Sequence, residues 1–164
     1  MILIKDNKYV LNTLNTTYAF DILETGHLEH LYYGAKIDFS EDLSEFEVIR
    51  IKREFPPGNT ISYDEEHFSY AFEDTSFEIS STGKGDVRSP FASIIHADGS
   101  RTSDFVYKSH ALKKGSPKRK TLPGSYDENN NSETLVITLK DRSYDVEADL
   151  YYVVYEDKDV ITRF

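Results

Sequence analysis

The chain has no cysteine and no tryptophan, and only one methionine, in 164 residues. Without thiols there is no disulfide framework, no thiolate metal site, no iron–sulfur ligation and no cysteine nucleophile. The lack fits a reducing compartment, and a cytoplasmic setting is the expectation. Long apolar runs are also missing. Leu150–Tyr155 is one of the longest, far below the roughly 20 residues of a membrane span. Met1-Ile2-Leu3-Ile4-Lys5-Asp6 lacks the basic and then apolar stretches of an export signal. Basic residues are in the minority, 19 against 29 acidic ones, for a formal net charge of −10. The sequence pI is about 4.9. That balance argues against general nucleic-acid binding, which needs a basic footprint, and against an anionic membrane surface.

What is present is a length suited to one domain, spanning 1–164, and an aromatic content able to build its core: 12 Tyr and 10 Phe. Most of the sequence reads as β. Ile2-Leu3-Ile4 and Tyr9-Val10-Leu11 flank Asp6-Asn7, a pair that tolerates the positive φ of a tight hairpin turn. Thr17–Ile22 and Leu28–Tyr33 read as further strands. Asp98-Gly99 predicts a hairpin joining Phe91–His96 to Asp104–Lys113, with Phe105, Tyr107 and Ala111 on one face. Leu135, Ile137 and Leu139 alternate with Val136, Thr138 and Lys140. Val146, Ala148, Leu150, Tyr152 and Val154 repeat that period of two, and Val160–Arg163 follows a turn at Asp157-Lys158-Asp159. About ten short strands with regular turns predict an all-β, antiparallel β-sandwich with very little helix. Ser40–Phe46 suits one helical turn, and Pro56-Pro57-Gly58-Asn59 a loop. The stretch Asp38–Val87 is the expected seat of long functional loops.

Few motifs carry chemistry. Lys113–Lys120 holds five basic residues in eight. It lacks interleaved aromatics and reads as a solvated loop rather than a phosphate site. His27 and His30, three apart, would share a metal on a helix but face opposite ways on a strand, which is the expected conformation here. His67, His96 and His110 are isolated. No Gly-x-Ser-x-Gly elbow or phosphate loop occurs. Adjacent acids are common, as 29 in 164 residues make inevitable. Asn15-Thr16-Thr17 and Asn130-Asn131-Ser132 are glycosylation sequons that an unexported chain leaves unused. Gly85-Asp86-Val87-Arg88-Ser89-Pro90 is the most informative segment. Its Asp and Arg, two apart after a Gly turn, either clamp sugar hydroxyls between a fixed acceptor and a fixed donor or form an ion pair that pins the loop.

Several stretches in chain order resemble one family. Asn15-Thr16-Thr17-Tyr18-Ala19-Phe20 with Gly26-His27-Leu28-Glu29-His30-Leu31-Tyr32-Tyr33-Gly34 is similar to an "NTSY…G-x-L-x-HLYYG" opening. Gly83-Lys84-Gly85-Asp86-Val87-Arg88-Ser89-Pro90 resembles "G-x-GDxRxP". Asp98-Gly99-Ser100 and Asp104–His110 resemble "DGS…DFxYxxH", and Lys118–Tyr126 resembles "KPxLxGLPxxY". Glu133–Asp141 and Tyr155–Arg163 resemble "ETLxITLxD" and "YExxDVITR". Together they resemble the N-terminal domain of glycoside hydrolase family 36, the bacterial α-galactosidases. Departures are Lys118-Arg119-Lys120-Thr121-Leu122 in the fourth motif and Ser89 where an acid often precedes the proline.

The resemblance implies a retaining enzyme that releases terminal α-galactose from melibiose- or raffinose-type sugars. It implies two catalytic aspartates in a C-terminal (β/α)8 barrel, and a sandwich that continues past Phe164. A retaining glycosidase needs two carboxyls about 5–5.5 Å apart, and no α/β alternation that would carry them occurs in this chain. The chain is thus expected to be a non-catalytic fragment, inactive alone, with no cofactor and no metal. Its implied partners are its own barrel, other copies in a homo-oligomer (a tetramer) and a galactoside sugar. The resemblance puts Asp64, Asp86 and Arg88 at the substrate-binding rim of a neighbouring active site. The alternative is a stand-alone carbohydrate-binding sandwich with a tyrosine-rich surface, which the absence of Trp disfavours.

Overall fold

Asp6 and Asn7 both adopt left-handed backbone, with φ of 50° and 63°. This is the turn that two short polar residues allow between twisted strands. It joins β1 (Ile2–Lys5) to β2 (Lys8–Asn12) in register, with Lys5 opposite Lys8. The computed structural model describes residues 1–38, 43, 62–68, 70–118, 121, 127 and 129–164. The helical turn expected at Ser40–Phe46, the loop Pro56–Asn59 and the motif around Leu122–Tyr126 lie, Leu43 apart, outside these residues. Among them, β3 (Thr16–Ile22) and β4 (Leu28–Ala35) complete a first antiparallel sheet, β1-β2-β3-β4. The second sheet is β5 (Phe105–Lys114), β6 (Ser132–Asp141), β7 (Glu147–Tyr155) and β8 (Val160–Arg163), again in chain order. Among the described residues, helix is confined to two short 3-10 turns, Phe72–Asp74 and Glu156–Lys158.

The alternating residues meet between the sheets. Tyr9, Leu11, Phe20 and Leu28 from the first sheet pack with Phe105, Leu135, Ile137, Leu139, Leu150, Tyr152 and Val154 from the second. Phe20 lies between Tyr9 and Tyr152, with ring centroids 4.9 and 5.0 Å apart. Each such fully buried ring contributes about 1.5–3 kcal/mol of transfer free energy. Val10, Ala19 and Leu31 form a smaller cluster on the outer face of the first sheet, covered by Leu43. The antiparallel β-sandwich read from the period-two pattern is thus the observed architecture.

Two expectations require correction. Phe91–His96 is not a strand, although the turn at Asp98-Gly99 forms, with the His96 amide bonded to the Ser100 carbonyl at 2.9 Å. The segment runs irregularly, sending Ile94 toward the core and leaving Ile95 exposed, and β5 pairs with β6 instead. Nor does Ala111 share a face with Phe105 and Tyr107. The register slips between Tyr107 and Ser109, so Tyr107 faces Leu139 and His110 faces Ile137. The extra residue, Lys108, inverts the pleat parity. His110 therefore turns toward Tyr9, and Leu112 shares its face at the exposed end of the strand.

Candidate functional site

Three loops beside the first sheet carry the residues of interest, and they rest on one aromatic cluster. In the loop 83–86, Gly83 is bridged to Asp86, and Lys84 and Gly85 between them have φ of 60° and 85°. This is a second tight turn with two left-handed central residues. Gly83 itself has φ of 101°, and a Cβ there would lie 2.7 Å from Thr102 Cγ2. The turn delivers Asp86, whose side chain is only 2% exposed. Asp86 Oδ1 accepts the Arg88 backbone N–H at 3.1 Å and Nε–H at 2.9 Å, while Oδ2 is buried without a hydrogen-bond partner. Burial pushes the Asp86 pKa up, but the two Arg88 bonds outweigh it and hold the carboxyl below its ordinary range.

Arg88 turns back on the chain. Its NH1 donates to the Thr75 carbonyl at 2.5 Å and its NH2 to the Phe72 carbonyl at 2.6 Å, capping the 3-10 turn Phe72–Asp74. The guanidinium also lies over the Phe77 ring, 5.1 Å from its centroid. Three of its five N–H groups are thereby used within the fold. Asp64 organises its own loop. Oδ1 accepts the backbone amides of Glu66 (3.0 Å) and His67 (2.7 Å), and His67 Nδ1 lies 2.8 Å away.

The two loops meet through their neighbours. Tyr63, next to Asp64, stacks on Phe72 at 4.7 Å, and Phe72 holds Arg88 through its carbonyl. His27 packs edge-on against both rings, and Phe77 edge-on against Phe72. Beneath them lies Asp104, 3% exposed. Its Oδ2 accepts the Tyr63 hydroxyl at 2.8 Å and faces Lys84 Nζ at 3.7 Å. Its Oδ1 lies 2.8 Å from His27 Nε2. A carboxylate there calls for a proton on Nε2, and Nδ1 lies 2.9 Å from the buried Thr25 hydroxyl. Burial raises the Asp104 pKa, and the bonds from His27 and Tyr63 more than reverse this.

A second enclosed carboxylate, Glu78, ties the sheets together. It accepts the hydroxyls of Tyr18 and Tyr152 at 2.7 Å each, and lies 2.9 Å from His30 Nδ1 and 3.1 Å from Arg163 NH1. His27 and His30 thus serve different carboxylates. No group of three or more metal-ligating side chains occurs among the described residues. The remaining histidines are all engaged: His67 with Asp64, His96 stacked on Tyr144, His110 with Tyr9 and Tyr107. Lys113 and Lys114 of the basic run belong to β5, and Arg119 and Lys120 lie outside the described residues. Asp86 and Arg88 were singled out by sequence. Asp104, Glu78 and Tyr63 were not, because their partners are remote in the chain.

The family profile for the glycosyl hydrolase family 36 N-terminal domain matches residues 26–164. The chain belongs to this family. Among the relatives of this family 36 domain, alpha-galactosidase 1 of Pediococcus pentosaceus is 34% identical over 157 residues, covering 93% of this chain and 20% of that protein. The crystal structure of an alpha-galactosidase from Lactobacillus brevis superposes with a TM-score of 0.86 at 28% identity, over 98% of this chain and 22% of that one. A variant of the alpha-galactosidase AgaA from Geobacillus stearothermophilus, solved in complex with raffinose, gives 0.80 at 29% identity, over 95% and 21%. The family 36 domain therefore spans about a fifth of the length of the relatives it matches.

Proposed function

We propose that this family 36 domain is the non-catalytic N-terminal sandwich of a retaining α-galactosidase acting on melibiose- or raffinose-type sugars. The observation that supports the reading is the alignment of nearly the whole chain with one fifth of alpha-galactosidases. The catalytic barrel of such an enzyme lies in the rest of its polypeptide. The domain's work is then to support that barrel and the assembly of a homotetramer, with the loops of Asp64, Asp86 and Arg88 bordering a neighbouring galactoside site. The geometry favours a division of labour in that rim. Asp86 and Arg88 spend their polar groups inward and hold the loop's shape, whereas Asp64 and the loop backbones are left to meet the sugar. The absence of cysteine supports a cytoplasmic setting.

The test is the activity of the longer polypeptide that carries this segment. Aryl α-galactoside hydrolysis with retention is expected. Its loss of efficiency on Asp64→Ala, at unchanged melting temperature, would support the rim. Wild-type kcat/KM in that variant would remove Asp64 from the site.

A further inference from the structure

We propose that Asp104 is a positioning residue that sets the two rim loops together, so that the loop of Asp64 and the loop of Asp86 and Arg88 move as one unit. The inference rests on the rim reading above, and it comes from what converges on one carboxylate. Asp104 is held from behind: its backbone N–H donates to Asp141 Oδ2 at 2.9 Å, and its carbonyl accepts the Arg142 amide at 3.0 Å. Asp141 is itself 1% exposed and accepts the Ser143 and Tyr144 amides. The base is therefore part of the second sheet. From that base Oδ2 reaches the loop of Asp64 through the Tyr63 hydroxyl, and the turn of Asp86 through Lys84. Oδ1 reaches the turn before β4 through His27.

The arms also touch one another. Lys84 Nζ lies 5.5 Å from the Tyr63 ring centroid, and Arg142 lies over the same ring at 5.5 Å. Hydrogen bonds to a buried charge weaken together when the charge is removed, because each donor then faces an unpaired neighbour. Among the described residues, neither loop has strand pairing of comparable extent: each contributes a single isolated bridge, Ser62 with Ala71 and Gly83 with Asp86. Backbone bonds such as the Ser103 N–H to the Thr82 carbonyl at 2.9 Å fix the ends of the loops, and Asp104 is where side chains from both loops meet.

The experiment is amide hydrogen exchange on the 164-residue chain, compared with Asp104→Asn. Asn keeps one uncharged acceptor oxygen where the carboxylate served Tyr63, Lys84 and His27 with two, so at least one of the three faces an NH2 group. Amides of 62–68 and of 83–88 are expected to exchange at least about tenfold faster, while β6 and β7 keep their protection. Acceleration in one loop alone, or in neither, overturns the proposal. Should Asp104→Asn not fold, Tyr63→Phe and Lys84→Met each remove one arm. Each is expected to loosen both loops, and loosening confined to the mutated loop overturns the coupling. In the longer enzyme, Asp104→Asn is expected to raise KM for raffinose about fivefold or more with kcat within about twofold. Coupled loosening with unchanged KM would keep Asp104 as the holder of both loops and overturn the rim reading instead.

Discussion

Glu78 receives two tyrosine hydroxyls, a histidine and an arginine while its side chain is fully enclosed. It sits among 29 acids, and nothing local distinguishes it, because Tyr18, His30, Tyr152 and Arg163 come from four different strands. Buried carboxylates of this kind are illegible in sequence for that reason, whereas the Asp86–Arg88 pair, two residues apart, is legible. Removing the charge while keeping the shape leaves four donors around an amide. Glu78→Gln is expected to destabilise the chain by about 3–5 kcal/mol in urea titration. Burial pushes the Glu78 pKa up, but the bonds from His30, Tyr18 and Tyr152 take it below the ordinary value, and Asp104 behaves alike. A carboxyl lowered in the folded state stabilises fully above its unfolded pKa, near 4. That stability is lost as pH falls through the lowered folded value. The urea midpoint is therefore expected to hold between about pH 7 and 5 and to drop below about pH 4. Glu78→Gln should flatten the drop, and a midpoint that rises on acidification would contradict the assignment.

Among the elements, those with local signals were legible: the Asp6-Asn7 hairpin, β3, β4, and the alternating β6 and β7. Asn7 has φ of 63°, where glycine carries no Cβ strain. Asn7→Gly is expected to raise Tm by roughly 1–4 °C, for a gain of about 0.5–1 kcal/mol. The bulge in β5 was not legible, since one added residue has no mark of its own and a slip of one inverts every later side chain. Two changes at Lys108 separate its charge from its place in the pleat. Lys108→Ala loses only the exposed pair with Glu147 and should cost about 0–1 kcal/mol. Deleting Lys108 removes the bulge while leaving Ser109 opposite Thr138 and His110 opposite Ile137, and should cost about 1–3 kcal/mol through the lost bend and twist of the strand. Equal melting temperatures for the two variants would show that the bend of the bulge contributes nothing to stability. Phe91–His96 reads as a strand because its apolar residues imitate one. They are there to send Ile94 to the core and to set Phe91 against Phe105 at 5.3 Å.

At the scale of the whole molecule, the alternation and turn chemistry made the sandwich legible. The convergence of two loops on Asp104 was not, because no spacing in the chain reports it. The isolated chain is expected to give a far-UV spectrum dominated by β structure. It is also expected to give no turnover of an aryl α-galactoside above a heat-killed control, and turnover at any reproducible rate would place catalysis within these 164 residues. Among the described residues the sheets are not interleaved: each is a run of four consecutive strands. On the ribosome, the first is fully made once Ala35 has emerged, while its cover ends only at Arg163. At about 5–20 residues per second, the roughly 130 residues between them take some 6–25 s. Throughout that interval Tyr9, Leu11 and Phe20 lie without the second-sheet residues that cover them. The nascent chain is thus born with a window for aggregation, and that window closes only once β6 and β7 are made.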